Sequence, residues 1–193
     1  MKEFIQKHKL FSFYTALMLV IVFIAIFAPW LAPGDAFSSD MSKALQAPST
    51  QHWFGTDKLG RDVLSRIIYG TQLSLFMGVS IVVIMVSIGT VIGAVAGYFG
   101  GKVEMVLMRL ADIMLSFPGV VLAIAIAGIL GGSIVNTILA LSVVGWAKYA
   151  RLVRSMTLKV RGEEYVTAAV MMGGPLHGRF YVVILFLIFC HSL

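Results

Sequence analysis

Long apolar runs without a charged residue alternate with short polar stretches along this chain. Three such runs, at 10–34, 67–101 and 113–147, contain no Asp, Glu, Lys or Arg. A helix needs about 20 apolar residues to cross a bilayer, and a charge at the centre of a span costs roughly 2.5–3.5 kcal/mol on insertion scales. The pattern therefore predicts an all-α, polytopic transmembrane helix bundle in contact with the lipid bilayer.

The limits of the apolar runs predict about four complete spans and a partial fifth. We expect spans at 10–31, 73–98 and 102–130, and a fourth helix at 134–160. The apolar run at 180–190 is shorter than the roughly 17 residues that a span requires, so we interpret it as the beginning of a fifth span in a chain truncated at its C-terminus. The predicted segments are an N-terminal span (1–32), an extracytoplasmic segment (33–70), core helices (71–160), a cytoplasmic loop (161–179) and a truncated fifth span (180–193).

Three features inside the predicted core helices carry structural expectations. Gly89, Gly93 and Gly97 recur at every fourth position, a small-residue stripe that permits close helix packing in a membrane. Pro118 predicts a kink in the third span. Arg109 and Asp112 lie three residues apart, so we expect them to share a helix face and to pair with each other.

Composition and charge agree with this class. The chain is 59% hydrophobic and 12% charged, with net charge +6. Four of the 15 basic residues fall on the predicted outer side, and the other eleven fall inside. The bias predicts a cytoplasmic N-terminus, and it explains the net charge without nucleic-acid binding. The scattered histidines show no metal-site spacing, and the predicted spans hold no paired catalytic groups, which argues against an intramembrane enzyme.

Residues 163–175 predict a short cytoplasmic helix. Tyr165, Ala168, Ala169 and Met172 share one face at helical spacing, and the Gly-Gly-Pro sequence at 173–175 ends the helix. This small face is typical either of an ordinary interfacial helix or of a docking element, and the pattern alone favours the former.

Residues 55–66 form the second distinctive stretch. Thr56 or Asp57 can cap a turn, and Asp62 can cap or pair at the start of a short helix that runs to Tyr69. The stretch is either a self-packed turn and interfacial helix held by Asp–Arg pairs, or a plug or gate element at the outer mouth of a pathway.

Together these motifs resemble the peptide/nickel importer permeases of the ABC transporters, in the DppC/OppC/NikC-like branch. The sequence GTDKLGRD at 55–62, the sequence YARLVR at 149–154 and the segment 164–173, which resembles the family's cytoplasmic "EAA" loop, occur in matching order.

The resemblance implies a transport subunit of a bacterial inner membrane that has no cofactor of its own, because ATP hydrolysis belongs to separate subunits. The implied partners are a second homologous permease, two cytoplasmic ATPase subunits and an extracytoplasmic substrate-binding protein. The implied ATPase-coupling residues are Glu164, Tyr165, Ala168, Ala169 and Gly173, supported by Arg151 and Arg154. The implied outer motif, which would face the binding protein and the outer gate, comprises Gly55, Thr56, Asp57, Gly60, Arg61 and Asp62.

Several features differ from the family pattern or separate its branches. Thr167 replaces the glutamate of the cytoplasmic motif, and the family's fifth and sixth spans do not follow. A non-functional remnant or a membrane scaffold is therefore the alternative to a working permease. Residues 49–53 and 146–149 look slightly more like nickel permeases than like oligopeptide permeases.

Overall fold

The computed structural model describes residues 9–162, and this part of the chain is helical. The chain divides into two compact units, Met1–Gly78 and Val79–Leu193. The six α-helices of the described part are α1 (Lys9–Ile26), α2 (Ala28–Leu31), α3 (Val63–Phe99), α4 (Gly101–Ser116), α5 (Gly119–Leu130) and α6 (Ile134–Arg161). A one-turn 3-10 helix, Met41–Lys43, lies in the connection between α2 and α3.

The first predicted span is divided into two helices. The prediction of one helix over 10–31 is wrong at its C-terminal end, because α1 ends at Ile26 and a single turn, α2, follows it. Pro29 occupies the first turn of α2, where its missing N–H leaves no hydrogen bond unmade. The side chains of α1 are largely exposed and apolar all round, as expected of a helix that faces lipid.

The predicted short outer helix and the predicted second span are one continuous helix. α3 has 37 residues and is therefore about 55 Å long at 1.5 Å per residue, well above the roughly 30 Å of a bilayer core. The polar positions between the two predicted elements do not interrupt it. No proline lies there, and the Thr71 hydroxyl donates to the Ile67 carbonyl within the helix (2.9 Å).

The predicted third span is broken rather than gently kinked. α4 and α5 meet at an angle of 90° on either side of Phe117 and Pro118. Phe117 is extended (φ −90°, ψ 146°), which is the conformation that a following proline favours. Both α4 and α5 pack against α6, and a buried cluster of Ala111 on α4 with Trp146, Ala147 and Ala150 on α6 lies at the centre of this unit.

The glycine stripe of α3 packs closely against a helix, as predicted, and the structure identifies that helix as α6. A Cβ atom added at Gly89 would lie 2.5 Å from the Tyr149 Cβ, and one added at Gly97 would lie 2.7 Å from the Thr157 Cβ. Gly93 lies directly against the backbone of α6 in the same way. The absence of side chains at these positions is therefore what allows the two helices to approach so closely.

Length and composition identify α1 and α3 as helices that can cross a membrane. The bent pair α4 and α5 adds a third if it crosses as one unit. Within residues 9–162, α6 is long enough to cross a membrane but is not counted as apolar enough, because the five basic residues in its second half lower its hydropathy. The chain is thus a membrane helix bundle. Its fourth span stays a prediction, and the predicted partial fifth span at 180–193 lies outside the described residues.

Candidate functional site

The outer motif is organised by the carboxylate of Asp57. Its Oδ1 accepts hydrogen bonds from the backbone N–H groups of Leu59 (2.8 Å) and Arg61 (3.0 Å). Its Oδ2 accepts from Arg61 Nε (2.9 Å) and pairs with Arg66. The side-chain hydrogen bond from Arg61 is the main reason why the pKa of Asp57 lies far below its usual value. The predicted Asp–Arg pairs are therefore present, and they stabilise a closed turn.

Two glycines and a threonine place this turn against the preceding loop. Gly55 and Gly60 have positive φ angles of 72° and 73°, and a side chain at Gly60 would meet the Asp40 carbonyl oxygen. The Thr56 hydroxyl accepts from the Gln46 N–H (2.8 Å) and donates to the Lys43 carbonyl. The motif thus needs glycine at 55 and 60 because of both backbone conformation and space.

Asp62 links the motif to the beginning of α3. Its Oδ2 caps the helix by accepting from the Ser65 N–H (2.8 Å), and its Oδ1 lies 3.0 Å from His52 Nδ1. Burial raises the pKa of Asp62, but the hydrogen bonds from Ser65 and His52 lower it by more, so the pKa lies below its usual value. Ser65, which is fully buried, accepts from the Gly34 N–H (3.0 Å).

The predicted capping by Asp62 is confirmed, whereas His52, Ser65 and Gly34 were not among the predicted site residues. Ser65 follows Asp62 at the spacing of a helix cap, which is a usable signal. His52 and Gly34 are 10 and 28 residues from Asp62, and no local pattern connects them to it.

Two ion pairs join α4 to the second half of α6 in the second unit. Arg151 Nη2 donates to Asp112 Oδ1 (2.7 Å), and Arg154 Nε donates to Glu104 Oε1 (2.7 Å). The prediction that Asp112 pairs with Arg109 is wrong, because its partner on the packed helix α6 lies closer. The predicted role of Arg151 and Arg154 as support for the coupling surface stays a prediction, and sequence reasoning did not identify Asp112 and Glu104 as their partners.

A cleft of about 300 Å³ lies between the two ion pairs. Its walls are the four charged side chains with Gly101, Met105 and Met108. Beyond the cleft, Arg161 Nη1 donates to the Tyr98 carbonyl (3.2 Å) at the end of α3. The charged side chains at this end therefore connect α6 to both α3 and α4.

The predicted ATPase-coupling residues, Glu164, Tyr165, Ala168, Ala169 and Gly173, lie outside the described residues. Among residues 9–162, no group of three or more His, Cys, Asp or Glu side chains is arranged to hold a metal ion.

Long apolar helices, a 90° bend between α4 and α5, and basic residues gathered at one end of α6 define a helical membrane protein. Comparison with known families makes the assignment specific. The chain belongs to the family of binding-protein-dependent transport system inner membrane components, whose profile matches residues 89–189. A second profile, the N-terminal TM domain of oligopeptide transport permease C, matches residues 5–48.

Several curated transport permeases are similar to most of this chain. The dipeptide transport system permease protein DppC of Alkalihalophilus pseudofirmus is 42% identical over 169 residues, which are 88% of this chain and 56% of that protein. The nickel transport system permease protein NikC of Escherichia coli K12 is 37% identical over 163 residues, or 84% of this chain and 58% of the relative. The chain spans about half the length of the curated relatives it matches. Since relatives named for dipeptides and for nickel match to a similar degree, the preference for nickel stays a prediction.

Proposed function

We propose that this chain is a membrane-spanning permease subunit of an ATP-driven ABC importer for peptides or nickel. In this role it couples closure of the ATPase subunits to alternating access of the membrane pathway. The single observation that carries the proposal is family membership over residues 89–189, the region that contains the predicted coupling loop.

The described geometry supports a mechanical role for α6. This helix packs on α4 and α5, is connected to α3 through the glycine stripe, and leads directly into residues 163–175. A helix held at several points moves as a rigid element, and hinge or rocking motions of such elements are how transporters alternate access. Arg151 and Arg154 support this element through their ion pairs.

The partners in this proposal are a second permease, two cytoplasmic ATPase subunits and an extracytoplasmic binding protein. Glu164, Tyr165, Ala168, Ala169 and Gly173 form the surface that docks on an ATPase. The motif at 55–62 shapes the outer segment that faces the binding protein, and its internal hydrogen bonds give that segment a fixed form. The N-terminus and the residues after Gly162 lie on the cytoplasmic side.

A cysteine crosslink tests the coupling surface. Cys190, the single native cysteine, is replaced by serine, and Ala169→Cys is introduced into the chain assembled with its ATPase and second permease. We expect a crosslink to the ATPase when the complex transports substrate. A cysteine at the exposed Ser39, on the predicted outer side, is the control and should not react with the ATPase. No crosslink at Ala169 in a transporting complex would refute the assignment.

A further inference from the structure

The two ion pairs between α4 and α6 connect residues that are far apart in sequence. Asp112 and Arg151 are separated by 39 residues, and Glu104 and Arg154 by 50. Within each helix the contacts run in opposite order, so that the later carboxylate of α4 meets the earlier arginine of α6. Two separate ion pairs oppose a rotation of α6 relative to α4 more strongly than one ion pair would.

Apolar contacts also join these two helices. The buried residue on α4 is Ala111, which meets Ala147, Ala150 and the ring of Trp146 on α6, and the partly buried Met108, Met114 and Leu115 of α4 pack against the same cluster. Alanine allows close approach, and methionine is flexible enough to adapt to more than one arrangement. The charged side chains at 104, 112, 151 and 154 add hydrogen bonds between the helices, and the geometry of a hydrogen bond is directional.

The two ion pairs differ in exposure. The side chains of Glu104 and Arg154 are 22% and 31% exposed, whereas those of Asp112 and Arg151 are about half exposed. Exposed pairs contribute little and are screened by salt. The Glu104–Arg154 pair is consequently the stronger of the two constraints, and it is also the nearer one to the end of α6.

Because the Glu104–Arg154 pair lies close to the end of α6, a small rotation at this pair displaces the end of the helix. Gly162 is eight residues beyond Arg154, a distance of about 12 Å along the helix axis. A rotation of about 10° at the ion pairs would therefore move the end of α6 by about 2 Å. A displacement of this size is enough to disturb a docked interface, since packed surfaces tolerate little misfit.

We propose that Glu104 and Asp112 are positioning residues, which hold Arg154 and Arg151 so that α6 presents the segment after Gly162 to its ATPase partner in one orientation. This inference rests on the proposed function and adds two acidic residues of α4 to it. Their role is to transmit force, and they contact neither the substrate nor the nucleotide.

The geometric part of the proposal is tested without any partner. Spin labels are placed at Val106→Cys on α4 and Ser155→Cys on α6, two exposed positions, in the Cys190→Ser background in lipid nanodiscs. We expect a narrow distance distribution in the parent, a broad one after Glu104→Gln, and a narrow one again when the charges are exchanged by Glu104→Arg with Arg154→Glu. Lys102→Gln, at the exposed start of the same helix, is the matched control and should leave the distribution unchanged. An unchanged distribution in Glu104→Gln would overturn the proposal.

The functional part is tested in the assembled transporter in proteoliposomes. Glu104→Gln should lower the amount of substrate imported per ATP hydrolysed by at least about fivefold, the lower end of typical coupling between sites, while ATP hydrolysis persists. The charge exchange should restore the ratio to near that of the parent, which a general loss of stability would not allow. If Glu104→Gln imports as much substrate per ATP hydrolysed as the parent does, the positioning role alone is overturned. A parent complex that imports nothing overturns the proposed function as well, and the spin-label distances separate these two results.

Discussion

Replacing Gly93 by alanine is the most direct test of how α3 and α6 pack. A Cβ atom at this position would meet the Ala150 carbonyl oxygen and would lie 2.8 Å from the Val153 Cβ and 3.0 Å from the Arg154 backbone nitrogen. These are backbone or near-backbone atoms of a helix, so no side-chain rotation can move them away. The substitution therefore forces the two helices apart.

The expected cost follows from the geometry. Non-bonded carbon atoms prefer separations of about 3.5–4.0 Å, so a contact of 2.8 Å requires a local separation of about 1 Å. Overpacking of this kind costs about 1–3 kcal/mol. Alanine also favours the helix over glycine by about 1 kcal/mol. Gly78→Ala, on the same helix and with nothing within 4 Å of its added Cβ, gains that propensity without the clash.

The difference between the two variants therefore isolates the clash. We expect Gly93→Ala to be less stable than Gly78→Ala by about 1–3 kcal/mol. The measurement is reversible unfolding in mixed micelles with increasing SDS, followed by helical circular dichroism and by the fluorescence of the tryptophans, of which Trp146 is buried. Equal unfolding midpoints for the two variants would refute the close contact between α3 and α6.

Two further predictions concern the outer segment. Gly60→Ala should destabilise this segment, because the added Cβ meets the Asp40 carbonyl and the φ of 73° disfavours alanine. Amide hydrogen exchange should become faster at residues 40–62. The control Gly132→Ala, whose added Cβ has open space around it, should leave the exchange rates of these residues unchanged. Asp62→Asn should remove about 1–3 kcal/mol at neutral pH through its lost charged hydrogen bonds. Because the folded pKa of Asp62 is lowered, its stabilisation is present above the unfolded pKa of about 3.9 and is lost as the pH falls through the lower folded value. An acid titration of exchange protection should therefore be flatter in Asp62→Asn than in the parent, and a parallel loss in both proteins would contradict the role of this carboxylate.

The features predicted correctly are those that depend on neighbours in sequence. Hydropathy over one window determines whether a helix such as α1 or α3 suits a membrane. The pairing of Asp57 with Arg61 and the capping by Asp62 each lie within a few residues, where backbone geometry fixes which groups can meet. The glycine stripe of α3 was also readable, since its spacing alone places all three residues on one face.

Helix limits were predicted less well where local rules compete. Glycine and polar residues around position 70 suggested a break, yet a helix tolerates them when every backbone hydrogen bond can still form. Pro118 removes a donor and constrains Phe117, so a disruption was predictable. The size of the bend was not predictable, because the 90° angle also depends on how α4 and α5 each pack against α6.

The partner of Asp112 shows why the ion pairs between α4 and α6 were harder to predict than the contacts within residues 55–62. The spacing rule for a single helix correctly places Arg109 near Asp112, but it compares only residues of that helix. Once α6 packs against α4, Arg151 Nη2 lies 2.7 Å from the same carboxylate and donates a hydrogen bond to it. Contacts across 39 and 50 residues leave no periodic trace in the sequence. Local spacing pairs Glu104 with nothing, yet in the structure it is the less exposed of the two acidic partners. We therefore expect its substitution to have a larger effect than that of Asp112.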